Sequence, residues 1–145
     1  MEDLQIAFQP YADQATKDIV VNGVDYHNIA TTGHAACYPV AFFLRDGREE
    51  VLGGLLGEIW GGSMYVTHLW VAEPARGAGH GTRLLQAAER YALERGCHGA
   101  FLGSFSFQAP AFYQKQGYQV FGVLDDHPPG HKLFFLKKAL RAGPG

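Results

Sequence analysis

The sequence predicts an α/β fold: a mixed, mostly antiparallel sheet with flanking helices. Two observations carry this. Short apolar runs follow one another across glycine-bearing turns between residues 38 and 72, the pattern of hairpin-linked antiparallel strands. An apolar run, a glycine-rich turn, an amphipathic stretch and a second apolar run then fill residues 64–106. That order makes a βαβ unit, whose right-handed crossover lays its two strands parallel.

Residues 4–8 alternate loosely and read as a first strand. Residues 14–21 read as a helix that Gly23 can stop. The run 38–44 is a strand, and Asp46-Gly47 signals a hairpin turn. Residues 50–60 return as the next strand, where the paired Gly53-Gly54 suggests a bulge. Gly61-Gly62 turns the chain into a strand over 64–72. In the helix that follows, Leu84, Leu85, Ala88, Tyr91 and Ala92 share one face. Arg90 and Glu94 stand four apart on another face, and Gly96 sits where a helix ends. Residues 98–106 form the second βαβ strand. Pro110 opens a short helix that Gly117 closes. Strands over 118–124 and 132–136 complete the sheet.

At 145 residues the chain suits one domain, residues 1–145, large enough for a core. Hydrophobic residues make up 47% and charged residues 18%, within the globular range. A net charge of −2 argues against a nucleic-acid or anionic-membrane partner. No apolar run reaches the ~18 residues of a membrane span, and the acidic start lacks a signal peptide's basic flank. Cys37 and Cys97, far apart and outside any C-x-x-C pair, read as reduced thiols in a cytoplasmic protein.

The most informative stretch is Arg76-Gly77-Ala78-Gly79-His80-Gly81-Thr82, between strand and helix. The first N–H groups of a helix have no intrahelical partners, and its dipole favours an anion there. Glycines let backbone approach phosphate without a Cβ in the way. The dinucleotide fingerprint fails because Thr82 stands at its third glycine, and the P-loop pattern fails for want of a lysine. What remains is R-G-x-G-x-G behind Leu69-Trp70-Val71. Downstream stands Ala109-Pro110-Ala111-Phe112-Tyr113-Gln114-Lys115-Gln116-Gly117-Tyr118, an A-x-x-x-Y-x-x-x-G-[FY] segment.

In this order and spacing the two motifs resemble the GNAT superfamily of acyl-CoA N-acyltransferases, over roughly residues 50–140. The resemblance implies a single-domain GNAT fold with a central βαβ acetyl-CoA-binding unit. It implies acetyl transfer from acetyl-CoA, as cosubstrate, to a primary amine by direct attack, with no metal. The amides of Gly77, Ala78, Gly79, His80, Gly81 and Thr82 would hold the pyrophosphate, and Arg76 would reach a phosphate. The backbone of Leu69, Trp70 and Val71 would line the pantetheine arm and polarise the thioester. Tyr113 matches the tyrosine that protonates the leaving thiolate in many family members. Where many members carry an asparagine, this chain has Ser106; Ser106 or Gln108 would supply that hydrogen bond.

An ammonium substrate must lose a proton before it attacks. Glu58, His68, Glu73, His127 and His131 are candidate bases, with His131 and Glu58 leading, beside a water chain with no single base. His127 and His131 also form an H-x-x-x-H pair, but two prolines between them and no third ligand argue against a metal. Cys97-His98 lacks an orienting group, so a core thiol is the simpler reading. Tyr11, Asp13, Asp18, Asp25, Tyr26, His27, Asp125 and Asp126 would suit a cationic acceptor; Lys17 dilutes them, and a solvated surface explains them equally. The small chain favours a small-molecule amine. A protein or peptide acceptor, and a silent acyl-CoA sensor, stay open. A homodimer is compatible with the resemblance, though no segment specifies its interface.

Overall fold

The computed structural model describes residues 3–141. The chain divides into two compact units, one ending at Ala35 and one beginning at Ala36.

The first unit carries helix α1, Gln14–Thr32. It runs through Gly23, where a stop was expected. An interior glycine costs only about 1 kcal/mol relative to alanine, too little to end a helix by itself. The actual stop is Gly33, at φ 75°, whose N–H bonds the Ile29 carbonyl at 2.8 Å; a side chain would strain that left-handed turn. Residues 4–8 form no strand, since weak alternation over five residues does not hold a strand without a paired edge.

The second unit is a six-stranded sheet in the order β1-β2-β3-β4-β6-β5. Its strands are β1 (Tyr38–Arg45), β2 (Val51–Trp60), β3 (Ser63–Val71), β4 (Gly99–Phe105), β5 (Gln119–Asp125) and β6 (Lys132–Ala139). Every neighbouring pair is antiparallel except β3 and β4, the two strands of the expected βαβ unit. Between them runs α2, His80–Glu94, and α3, Pro110–Lys115, follows β4.

Helix α2 buries Leu84, Leu85, Ala88 and Ala92 in one core with Val40, Leu55, Ile59, Met64 and Val66. Each fully buried leucine contributes roughly 1.5–3 kcal/mol. Tyr91 is only partly buried, and Glu89 joins the buried face in its place. Its carboxylate accepts bonds from the Tyr118 hydroxyl and Lys138 Nζ, both at 2.8 Å. No ion pair joins Arg90 to Glu94 among the described residues. Arg95 caps the helix instead and lies 4.3 Å over the Tyr38 ring.

The bulge suggested at Gly53-Gly54 falls beside it. Leu44 faces Gly53 while Arg45 faces Val51, which leaves Leu52 as the extra residue. The glycines themselves serve close approach: a Cβ on Gly53 would lie 2.8 Å from the Trp70 carbonyl oxygen. The second bulge matters more. Leu56 pairs with His68 and Gly57 with Val66, so Thr67 is the extra residue of β3. Parallel pairing with β4 ends one residue earlier, at Val66↔Leu102. A bulge bends its strand, and beyond Thr67 the two parallel strands separate.

Candidate active site

The gap between β3 and β4 opens into two clefts. One, of about 600 Å³, is lined by Val66, Thr67, His68, Leu69, Trp70, Arg76, Leu102, Gly103, Ser104, Phe107, Gln108, Ala109 and Tyr113. The other, of about 500 Å³, runs along Leu69, Trp70, Val71 and the glycine loop to Phe112 and Tyr113. Leu69, Trp70, Arg76, Ala109 and Tyr113 border both, so the clefts meet at the tyrosine. A third cavity, of about 780 Å³, surrounds His98, Phe101, Phe121 and Lys137; it shares no residue with the glycine loop.

The loop is built as its sequence dictates. Gly77 and Gly79 take φ of 80° and 82°, and Gly79 is the N-cap of α2. From Gly77 through Thr82 no backbone N–H is donated to a partner among the described residues; donation resumes at Arg83 N–H to Gly79 O, 3.1 Å. Six consecutive free amides at a helix start form an anion cradle. Arg83 Nη1 stands 3.2 Å from His80 Nδ1. A guanidinium can only donate, so Nδ1 accepts and His80 carries its proton on Nε2.

Arg76, expected to reach a phosphate, has a structural bond of its own. Its Nε donates to the Val71 carbonyl at 2.8 Å and ties the loop to the strand. Ala72 N–H bonds the Leu52 carbonyl of β2 at 2.7 Å. By strand alternation, the N–H and C=O groups of Leu69 and Val71 turn the other way, into the gap. Leu69 therefore presents a free donor where the clefts meet.

Tyr113 is fixed by its helix. Gln116 Nε2 bonds Thr82 Oγ1 at 3.1 Å, pinning the end of α3 to the first turn of α2. The rings of Phe112 and Tyr118 stand edge-on to Tyr113 at 5.1 and 5.9 Å. Burial raises the Tyr113 pKa above the ordinary tyrosine value, so the phenol keeps its proton near neutrality. Its hydroxyl has no hydrogen-bond partner among the described residues, which leaves it free to donate into the cleft.

Of the candidate bases, His68 lines the cleft and the others do not. Thr67 Oγ1 donates to the Leu56 carbonyl at 3.0 Å, and His68 Nδ1 lies 3.0 Å from the same oxygen. The threonine proton is committed to Leu56, so Nδ1 must donate and Nε2 holds the lone pair. Glu58 is exposed on β2, opposite Pro39 and Tyr65 in register. His131 packs edge-on against Phe107 at 5.0 Å, one ring removed from the cleft, and His127 lies 5.7 Å from Phe105.

Ser106 is a fastener. Its Oγ accepts the Lys132 N–H at 3.0 Å, and its own N–H bonds the Lys132 carbonyl at 2.8 Å. Gln108 does line the cleft, with Oε1 accepting the Phe105 N–H at 2.8 Å. Asp126 shapes its loop by accepting the Gly130 N–H, and exposed Asp125 pairs with Lys132 at 3.5 Å. The remaining acidic and aromatic acceptor candidates belong to the first unit, where Asp18 accepts from Gln14 at 2.7 Å. Sequence reasoning passed over Ser104, which stands buried in the cleft wall. One signal for it was available: a hydroxyl in an otherwise apolar inward row with Ala100 and Leu102.

A sheet splayed at a bulge, a cradle of free amides and a protonated tyrosine at their junction define a cofactor-dependent group-transfer enzyme. The acetyltransferase (GNAT) family model matches residues 2–118, and the chain belongs to that family. Among curated proteins it is 44% identical over 94 residues to blasticidin-S acetyltransferase from Streptomyces morookaense, covering 64% of this chain and 69% of that protein. An acetyltransferase structure from Bacillus cereus ATCC 14579 superposes with a TM-score of 0.82 at 33% identity, covering 92% of this chain and 98% of that one. A Bacillus anthracis str. Ames acetyltransferase, solved with acetyl coenzyme A, shares the fold with a TM-score of 0.64 at 18% identity, covering 72% of this chain and 64% of that one.

Proposed function

We propose that the protein moves the acetyl group of acetyl-CoA onto a primary amine of a small molecule, by direct attack in the cleft between β3 and β4. The observation that carries this is the convergence of three unpaired features on one gap. These are the amides of residues 77–82, the gap-facing backbone of Leu69, and the Tyr113 hydroxyl. The small-molecule acceptor is supported by the relative named for acetylating blasticidin S.

Each group then has a task. The loop amides hold the pyrophosphate of the cosubstrate against the helix dipole. The Leu69 N–H donates to the thioester oxygen, on which negative charge grows as the amine attacks. The amine nitrogen bonds the acyl carbon and the carbon–sulfur bond breaks. Tyr113 gives its proton to the departing sulfur. His68 Nε2 takes the proton the amine sheds, while Thr67 holds the ring in that tautomer. Tyr113 recovers a proton from solvent.

The test is free-thiol release from acetyl-CoA with a panel of small-molecule amines, blasticidin S among them, and peptide amines alongside. Turnover with a small amine supports the reading. Turnover with peptides alone replaces the acceptor class, and coenzyme A binding without any turnover leaves a sensor. In the active reaction Tyr113→Phe is expected to lower kcat by about 10²-fold or more, with coenzyme A affinity kept. His68→Ala is expected to lose a similar factor, while Glu58→Gln and His131→Ala stay near wild type.

A further inference from the structure

Two aromatic rings border the cleft that holds His68 with more than half their surface open: Trp70, 55% exposed, and Phe107, 56% exposed. Phe107 is firmly held for a surface ring. Phe105 stacks against it at 5.2 Å, 9° from parallel, and His131 stands edge-on at 5.0 Å. The turn that carries it is closed twice: Phe105 N–H donates to Gln108 Oε1 and Gln108 N–H to the Phe105 carbonyl, each at 2.8 Å. Ser106 fastens the same turn to Lys132. Phe105 does not border the cleft, so the surface that Phe107 shows there is bare. The charge of the wall points the same way. No carboxylate borders the cleft, and Arg76 is its one permanently charged side chain. Asp125 and Asp126, which suit a cationic acceptor by residue type, are engaged elsewhere, by Lys132 and by the Gly130 N–H.

We propose that Trp70 and Phe107 are the specificity-determining face of the cleft, and that the acceptor is an amine bearing a flat unsaturated ring that lies against them. The inference rests on the acetyltransferase reading above and narrows its acceptor class. A ring that is already fixed loses little freedom when a ligand covers it, and paired aromatic rings attract beyond the area they bury. A second positive charge on the acceptor would meet Arg76 with no carboxylate to offset it. The acceptor therefore carries its charge at the reacting nitrogen alone.

Three probes separate ring, bulk and charge. 3-Phenylpropylamine and 3-cyclohexylpropylamine share reach, charge and apolar bulk and differ in the π face; spermidine supplies charge without a ring. Each is titrated by calorimetry into the protein saturated with coenzyme A, and each is assayed for thiol release from acetyl-CoA. Wild type is expected to bind the phenyl amine about tenfold more tightly than the cyclohexyl amine, with spermidine weakest. Phe107→Leu, which keeps an apolar side chain without a ring, should bring the two ring-bearing amines within about twofold of each other, and Phe107→Tyr should keep the preference. The same ratios should appear in kcat/KM. Equal affinity for the two in wild type, a preference that survives in Phe107→Leu, or tighter binding of spermidine, which would make the rings a cation–π site, overturns the assignment. Thiol release without a ring preference sinks the aromatic face and keeps the acetyltransferase reading. A ring preference in binding without thiol release does the reverse, and a protein that binds no coenzyme A loses both.

Discussion

Replacing Lys138 with methionine tests how α2, and the phosphate cradle at its start, is held to the sheet. Lys138 Nζ lies 2.8 Å from Glu89 Oε1, and the two side chains are 27% and 11% exposed. The other carboxylate oxygen already takes the Tyr118 hydroxyl at 2.8 Å. Lys138→Met keeps the aliphatic stem, removes the ammonium, and strands a charge at a largely buried position. Breaking a fully buried pair costs about 3–5 kcal/mol. Here the lysine end is reachable by water, which re-solvates the vacated lone pair in part, so about 2–3 kcal/mol is expected. Loss of the cation 5.6 Å over the Tyr118 ring is included in that figure. For a chain of this length it lowers the melting temperature by roughly 8 °C. The assay is urea unfolding of wild type, Lys138→Met, Glu89→Gln and the double variant. The double variant should lose about 1–2 kcal/mol less than the sum of the singles, because either change alone already breaks the pair. A Lys138→Met cost below about 0.5 kcal/mol, or strict additivity, would mean that solvent screens the pair and that the burial argument is wrong.

Other expectations are briefer. A Cβ on Gly57 would meet the Tyr65 carbonyl oxygen at 2.5 Å, so Gly57→Ala forces β2 and β3 apart at the bulge. It should cost about 2 kcal/mol or more in denaturant unfolding and weaken coenzyme A binding with it. Gly79 holds φ 82° at the N-cap of α2; Gly79→Val should abolish coenzyme A binding in calorimetry while far-ultraviolet circular dichroism keeps its helical signal. Tyr118 has its pKa pushed well above the usual tyrosine range, first by burial and then by the Glu89 charge, and Tyr113 is raised by burial. Their contribution to stability is whole below about pH 10 and shrinks as pH climbs beyond it, because the unfolded chain then sheds protons the folded protein keeps. Tyr118→Phe should flatten that alkaline decline by up to about 1.4 kcal/mol per pH unit, read from chemical unfolding at stepped pH.

What the sequence determined by itself is local. The glycine loop, the helix it opens and the tyrosine-bearing segment are set by backbone freedom, capping and 3.6-residue periodicity, each read within a dozen residues. Those rules found the cradle at residues 77–82 and the short helix that carries Tyr113, while the tyrosine itself was singled out by the family resemblance. Local signals also misled: Gly23 reads as a stop, yet its helical cost is small beside the extent of α1, and residues 4–8 alternate without becoming a strand. Tertiary structure decided the rest, because strand register joins residues that are remote in the chain. Pairing with β2 made Thr67 the bulged residue, which parts β3 from β4 and fixes the tautomer of His68. The same pairing set Glu58 outside the cleft, although its residue type suits a base. The buried bonds from Glu89 to Tyr118 and Lys138 span 29 and 49 residues. Ser104 is buried on β4 opposite Phe134 of β6, a fact of register that no periodicity along β4 contains.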